Sequence, residues 1–121
     1  MEIRLRRIYD DPSDEDGARV LVDRLWPRGV SKDRADLDAW IKDVAPSDDL
    51  RHWYGHDPAK FEEFAERYCH ELDSDAGRAA LQEVRDAATG ESITLLTATK
   101  DLDLSHLVVL KSVLESTGAS T

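Results

Sequence analysis

The 121-residue chain has the length of one domain and can bury a core without disulfides or a structural metal. Its formal net charge of −10 argues against a broad nucleic-acid-binding surface, and no apolar run is long enough to span a bilayer. A single cysteine, Cys69, excludes an internal disulfide framework and a Cys-rich zinc site. A reducing compartment fits this best, so we expect a cytoplasmic protein. The length predicts one domain covering residues 1–121.

Three segments have the composition of β-strands. Residues 3–9 (IRLRRIY) partly alternate between apolar and polar side chains, and an acidic loop closed by Gly17 follows them. Residues 19–26 (RVLVDRLW) are richer in β-branched and apolar residues, which indicates a buried strand that ends at Pro27. Residues 91–99 (ESITLLTAT) give the strongest strand signal in the chain.

Five segments have helical spacing or helix start and stop signals. Ser31 can cap a helix that ends at Pro46, because apolar residues recur there at i, i+3, i+4 and i+7. Asp57 and Pro58 are a typical helix start. The apolar positions after Ser31 are Leu37, Trp40, Ile41 and Val44. The other predicted helices cover residues 47–55, 57–72, 73 or 74 to about 90, and 105–116.

Strands that alternate with helical segments predict an α/β fold. Parallel neighbours need crossover connections, which helices supply, so we expect a small, mainly parallel, three-stranded sheet flanked by about five helices. The direction of the first strand stays open. The chain should form a single compact domain, with residues 116–121 as a frayed tail.

Positive charge is concentrated near the N-terminus. Residues 1–34 carry 8 basic and 8 acidic side chains, whereas residues 35–121 carry 8 basic and 18 acidic ones. Ligands of open α/β sheets bind beyond the carboxyl ends of the strands. If the second and third strands are neighbours, Arg24, Arg28 and Lys100 can converge there on one anion. The alternative is that these cations pair with nearby carboxylates on the surface.

An acid–base pair of Asp23 and His106 is chemically possible at the same strand ends. The alternative is structural: Asp23 can pair with Arg24 or Arg28, and His106 can cap or pack at a helix start. The catalytic candidates are therefore Asp23 and His106. The candidate ligand-binding residues are Arg24, Trp26, Arg28, Lys32, His56 and Lys100.

No metal or cofactor site is predicted. His52 and His56 have the i, i+4 spacing of a histidine pair, but Gly55 interrupts the helix between them and no third ligand is indicated. The chain lacks the glycine-rich nucleotide loops and the GxSxG elbow of hydrolases. Cys69 has no cationic neighbour that would mark a reactive thiolate, and we expect it to be partly buried.

Four runs carry a resemblance to a known family: RIYD, DGARVLVDRLWPRGVSK, LDAWIKDVAPSDDLRHWYGHDP and ITLLTATKD. In this order they closely resemble the YeaO-like family, a group of small bacterial and archaeal proteins of unknown function. The resemblance implies a compact α/β domain and brings no reaction with it. Its pattern falls on Asp23, Arg24, Trp26, Pro27, Arg28, Gly29, Pro46, Ser47, Leu50, Arg51 and Lys100. His106 keeps a family position, whereas Ser105 and Leu107 depart from the Asn and Ala that often flank it.

Two functional hypotheses follow. The leading one is a protein that binds a small phosphate- or carboxylate-bearing molecule at the strand ends, with acid–base catalysis as a further option. The alternative is a noncatalytic interaction module that uses Trp26, Trp53 and Tyr54 with the arginines to hold a protein partner of unknown identity. A nucleic-acid partner is disfavoured by the charge, and no membrane partner is expected.

Overall fold

A computed structural model describes residues 2–88 and 92–119 of the chain. Four parallel strands form one sheet in the order β1-β4-β2-β3, so β4 lies between the two N-terminal strands. The α/β fold and the parallel sheet are confirmed, the first strand is parallel, and the sheet has four strands where three were predicted. The strands are β1 (Glu2–Arg7), β2 (Ala18–Leu21), β3 (Ala39–Trp40) and β4 (Ser92–Thr97).

Five α-helices connect and cover these strands, as expected. Ser47 and Ser74 accept hydrogen bonds from the first turns of the second and fourth helices, and Gly55 ends the second in a left-handed conformation. The predicted end near Gly90 lies outside the described residues, and the fifth helix continues through part of the segment predicted to be frayed. The helices are α1 (Lys32–Ala35), α2 (Asp48–Tyr54), α3 (Phe61–Leu72), α4 (Asp75–Ala87) and α5 (His106–Ala119).

The single helix predicted from Ser31 to Pro46 is wrong. The structure has only the four-residue α1 there, followed by β3 and a 3-10 turn at Lys42–Val44. The four apolar residues with helix-like spacing do not form one helix face, because they pack into two different clusters. Leu37 and Trp40 pack against one cluster, and Ile41 and Val44 belong to the other.

These two clusters lie on opposite faces of the sheet, since successive strand residues point to opposite sides. Val20 and Val22 belong to the larger cluster, which α2–α5 cover, whereas Leu21 between them belongs to the smaller one around α1. In β4, Leu95 and Leu96 divide in the same way. The sheet is therefore buried on both faces, as is typical of parallel sheets.

A buried ion pair fixes the loop between β1 and β2. Asp16 is 1% exposed and accepts hydrogen bonds from Arg19 at 2.5 Å and from Arg6 at 3.0 Å. The remaining Arg19 donors bond the carbonyl oxygens of Ala35 and Asp36 at 2.9 and 3.1 Å. The loop is thereby tied to β1, to β2 and to the end of α1.

Within residues 2–88 and 92–119, no helix is long and apolar enough to cross a membrane.

Candidate functional site

A cavity of about 410 Å³ opens at the carboxyl ends of β2 and β4, which are neighbours in the sheet. Its walls come from the segment after β2, the loop before α2, the end of α2, the loop after β4 and the start of α5. Strand order alone explains this position, because parallel strands end at the same edge of a sheet. The lining includes Tyr9, Asp23, Arg24, Leu25, Trp26, Arg28, Arg51, Tyr54, His56, Phe64, Ser105 and His106.

Asp23 connects the ends of the two strands. Its Oδ1 accepts a hydrogen bond from the Thr97 hydroxyl at 2.7 Å, and its Oδ2 accepts one from the Ala98 backbone N–H at 2.8 Å. The Asp23 carbonyl oxygen accepts a third from the Trp40 indole at 2.7 Å. The structural role predicted for Asp23 is present, with Thr97 and Ala98 as its partners instead of the arginines.

His106 lies at the inner end of the cavity and is 9% exposed. Its Nε2 is 2.9 Å from the Val22 carbonyl oxygen and 3.5 Å from Asp23 Oδ1. Since a carbonyl oxygen only accepts, Nε2 carries a proton. Burial lowers the pKa of His106, and the opposing effects of Asp23 and of the Val22 hydrogen bond do not restore it to 6.5. The lowered pKa favours the neutral imidazole.

Three arginines from different segments line the cavity and differ in how they are bound. Arg24 donates to the carbonyl oxygens of Ala45 at 3.0 Å and Pro46 at 3.3 Å, and its Nη1 has no hydrogen-bond partner among the described residues. Arg51 forms a long ion pair of 3.5 Å with Asp48. Arg28 is exposed, and its guanidinium has no partner within the part of the chain that the structure describes. Arg28 is consequently the cation with most capacity to bind a ligand.

The buried part of the cavity wall is largely aromatic. Tyr54 and Phe64 are 3% and 2% exposed, and their rings stack with centroids 4.2 Å apart. The Tyr54 hydroxyl donates to the Leu104 carbonyl oxygen at 2.7 Å, and the Ser105 hydroxyl donates to that of Leu102 at 2.7 Å. These polar groups are satisfied within the protein and are not open donors.

Comparison with known proteins decides the family. The profile described as "Inactive DUF488-N3 subclade" matches residues 2–120. The chain belongs to this family. It is 47% identical over 113 residues to an uncharacterized protein of Mycobacterium tuberculosis, covering 93% of this chain and 92% of that one. It is 36% identical over 116 residues to the uncharacterized protein YeaO of Escherichia coli, covering 96% and 99%. No solved structure matches.

The YeaO-like resemblance is thus confirmed for this member of the DUF488-N3 subclade. The structure brings six of the predicted site residues to one cavity and leaves Lys32 and Lys100 exposed outside it. Lys100 lies past the point where Asp23 binds the Ala98 N–H, and Lys32 lies on the separate helix α1. The six residues at the cavity are Asp23, Arg24, Trp26, Arg28, His56 and His106.

Sequence reasoning from single residues missed the apolar side of the cavity. Phe64 is not among the predicted site residues, and Tyr54 is predicted for an interaction surface, because only the packing of α2 and α3 brings them to the strand ends. Tyr9 and Leu25 carried no signal beyond being apolar residues at strand ends. Arg51 was indicated by the family pattern alone.

Neither the histidine pair nor Cys69 forms a site of its own. His56 follows α2 with φ of 57°, outside the helix that would align it with His52. In the described ranges, no three His, Cys, Asp or Glu side chains are grouped so that they could hold a metal ion. A larger, open groove of about 880 Å³ between α3 and α4 contains Cys69, which is exposed and not partly buried as predicted. Partial desolvation raises the pKa of this thiol, which disfavours a thiolate.

The buried imidazole should make stability depend on pH. Below 6.5 the unfolded chain binds a proton at His106, whereas the folded chain does so only at lower pH. We therefore expect the free energy of unfolding to fall as the pH drops from 7 to 5, and this component to be absent in His106→Asn. Denaturant titrations across this range measure it. His70→Asn, at an exposed position, is the control and should retain the decline; an unchanged slope in His106→Asn would contradict the assignment.

Proposed function

We propose that this protein binds a small anionic molecule in the cavity at the ends of β2 and β4. The observation that carries the proposal is the convergence of Arg24, Arg28 and Arg51 on one cavity in a chain of net charge −10. Arginine donors suit carboxylate and phosphate oxygens, and Arg28 has its donors free of protein partners within the described residues. The concave shape also favours a small molecule.

Binding without turnover is the favoured form of this function. Both oxygens of Asp23 are engaged by Thr97 and Ala98, and the Nε2 proton of His106 is directed at Val22. These contacts support a role for Asp23 and His106 in holding the shape of the cavity. The family description "Inactive" favours the same interpretation. An acid–base role of Asp23 and His106 remains the alternative, because a neutral His106 keeps Nδ1 as a proton acceptor.

The interaction module ranks second. Tyr54 is buried, and Trp26 is partly buried with its indole donating to the Val30 carbonyl oxygen at 2.7 Å. Trp53 lies elsewhere, beneath the cationic groups of Lys60 and Arg67 at 5.1 and 4.3 Å from its ring. These contacts leave little of the three aromatic side chains for a partner and support the small-molecule proposal instead.

A thermal-shift titration with inorganic phosphate and with a panel of small carboxylates tests this proposal. A ligand that binds only the folded chain stabilises it by about 2.7 kcal/mol at one hundred times its dissociation constant, so the melting temperature should rise. We expect Arg28→Gln to weaken binding about tenfold, because it removes a charge-assisted hydrogen bond to the anion.

Lys32→Gln is the matched control. It removes the same charge from an exposed position on α1 that does not line the cavity, so it should leave the ligand response unchanged. Equal responses of the two variants, or no response to any anion tested, would overturn the proposal.

A further inference from the structure

We infer that the ligand of this cavity is a monocarboxylate with an aromatic body, which packs its ring against the apolar side chains of the cavity and directs its carboxylate to the arginines. This inference rests on the function proposed above and adds the chemical class of the ligand. It follows from how polar and apolar groups are distributed over the cavity.

The inner wall is suited to a ring because its hydrogen-bond donors are already paired. Tyr54 and Ser105 donate their hydroxyls to backbone carbonyl oxygens, and His106 donates from Nε2 to Val22. A strongly hydrated group placed against this wall would lose its water without finding donors in return. The stacked rings of Tyr54 and Phe64 add apolar atoms to this wall but, at 3% and 2% exposure, little open surface, so the ring of a ligand would rest mainly on the exposed apolar side chains further out.

The outer part of the cavity carries an independent signal. Among the described side chains, the exposed large apolar ones are Tyr9, which is 37% exposed, and Leu25, which is 62% exposed. Both line this cavity. Single exposed apolar residues are common on protein surfaces, but here the two meet at one opening and next to free cationic donors. An amphipathic ligand would cover them.

The charged side chains that line the cavity indicate the net charge of the ligand. Of the three arginines, Arg51 is paired with Asp48, so Arg28 and the Nη1 of Arg24 are the main donors left, enough for one carboxylate. The acidic side chain of Asp23 lines the same cavity and disfavours a second negative charge on the ligand. A singly charged anion therefore fits this site better than a multiply phosphorylated molecule.

The volume sets an upper limit on size. Cavities for drug-sized ligands span about 300–1,000 Å³, and the strand-end cavity of about 410 Å³ lies near the lower limit. This space suits one ring with a short acidic arm. It does not suit a dinucleotide or a long acyl chain.

Affinities for benzoate and acetate, measured by ligand-observed NMR titration of the full chain, test the inference. The two anions share a carboxylate and differ by the ring, so we expect benzoate to bind about tenfold more tightly. Leu25→Asn should reduce the benzoate advantage about threefold and leave acetate binding unchanged, because Leu25 is exposed and contributes only apolar surface. Arg28→Gln should weaken both anions.

The outcomes separate this inference from the proposed function. Equal affinities for benzoate and acetate, both weakened by Arg28→Gln, would overturn the aromatic class and leave anion binding standing. Benzoate binding that neither variant changes would place the ring elsewhere and overturn the inference. If neither these carboxylates nor inorganic phosphate binds in a manner that depends on Arg28, the proposed function fails and the inference fails with it.

Discussion

Replacing Asp16 with alanine is expected to lower the free energy of unfolding by about 3–5 kcal/mol, because it breaks a buried ion pair and leaves the other charge without a partner. Arg19 is 4% exposed, and Asp16 is its carboxylate partner at 2.5 Å. Arg6 would lose its bond to Asp16 as well. Urea titration of the purified variant measures the loss.

The same carboxylate should contribute to acid sensitivity. Burial raises the pKa of Asp16, but the hydrogen bonds from the Ser13 N–H and from the two arginines outweigh it, so the pKa lies below the usual 3.8. A lowered folded pKa stabilises the protein above 3.8, and this contribution is lost as the pH falls through the folded value.

Asp14→Ala is the control for Asp16→Ala. Asp14 lies in the same 3-10 turn, is exposed and has no partner among the described residues, so its replacement should change stability by less than about 0.5 kcal/mol. Similar losses of unfolding free energy in both variants would show that alanine destabilises the turn at either position and would exclude the ion pair as the cause.

Replacing Gly17 with alanine should be strongly destabilising. Gly17 has φ of 63° and ψ of −138°, a conformation that is almost confined to glycine. A methyl group there would lie 2.5 Å from the Ser92 carbonyl oxygen and still closer to the Ser92 hydroxyl. Since this backbone belongs to the first residue of β4, relief would require moving the central strand. We expect a loss of about 3 kcal/mol or more in thermal or urea unfolding.

Gly29→Ala separates the two causes of this loss. Gly29 has a similar φ of 75°, but no atom lies within 4 Å of where its methyl group would be. This variant should show only the conformational cost of about 1–2 kcal/mol. If Gly17→Ala were no more destabilising than Gly29→Ala, the close approach to Ser92 would not limit the fold.

The parts of the fold that could be predicted are those with a continuous local signal. The two central strands β2 and β4 and the capped helices α2 and α4 each have a run of apolar residues or a serine cap. Strand β3 has neither, since Ala39 and Trp40 pair with Val20 and Leu21 over only two residues. The apolar residues in and around β3 divide between the two faces of the sheet, and their spacing along the sequence resembles that of a helix.

The candidate site was predictable to the extent that strand ends determine it. Asp23 and His106 lie close together because β2 and β4 are neighbours. From the sequence, this contact could be predicted only on the condition that the two strands pair. Arg24 was expected to bind an anion, yet two of its donors hold backbone carbonyls of the loop before α2. Such contacts depend on tertiary packing, and no spacing rule in the sequence encodes them.

The position of β4 in the sheet has a consequence for biosynthesis. Ile3 in β1 and Ala18 in β2 both pair with Ile93 in β4. The strands β1 and β2 therefore do not pair with each other, and each needs β4 as its partner. A nascent chain that has reached only Ala88 contains every strand except the one that joins them. Closing so long a segment is entropically costly and slow, and the apolar strand residues stay accessible in the meantime. The sheet can therefore be completed only after residue 97 has left the ribosome.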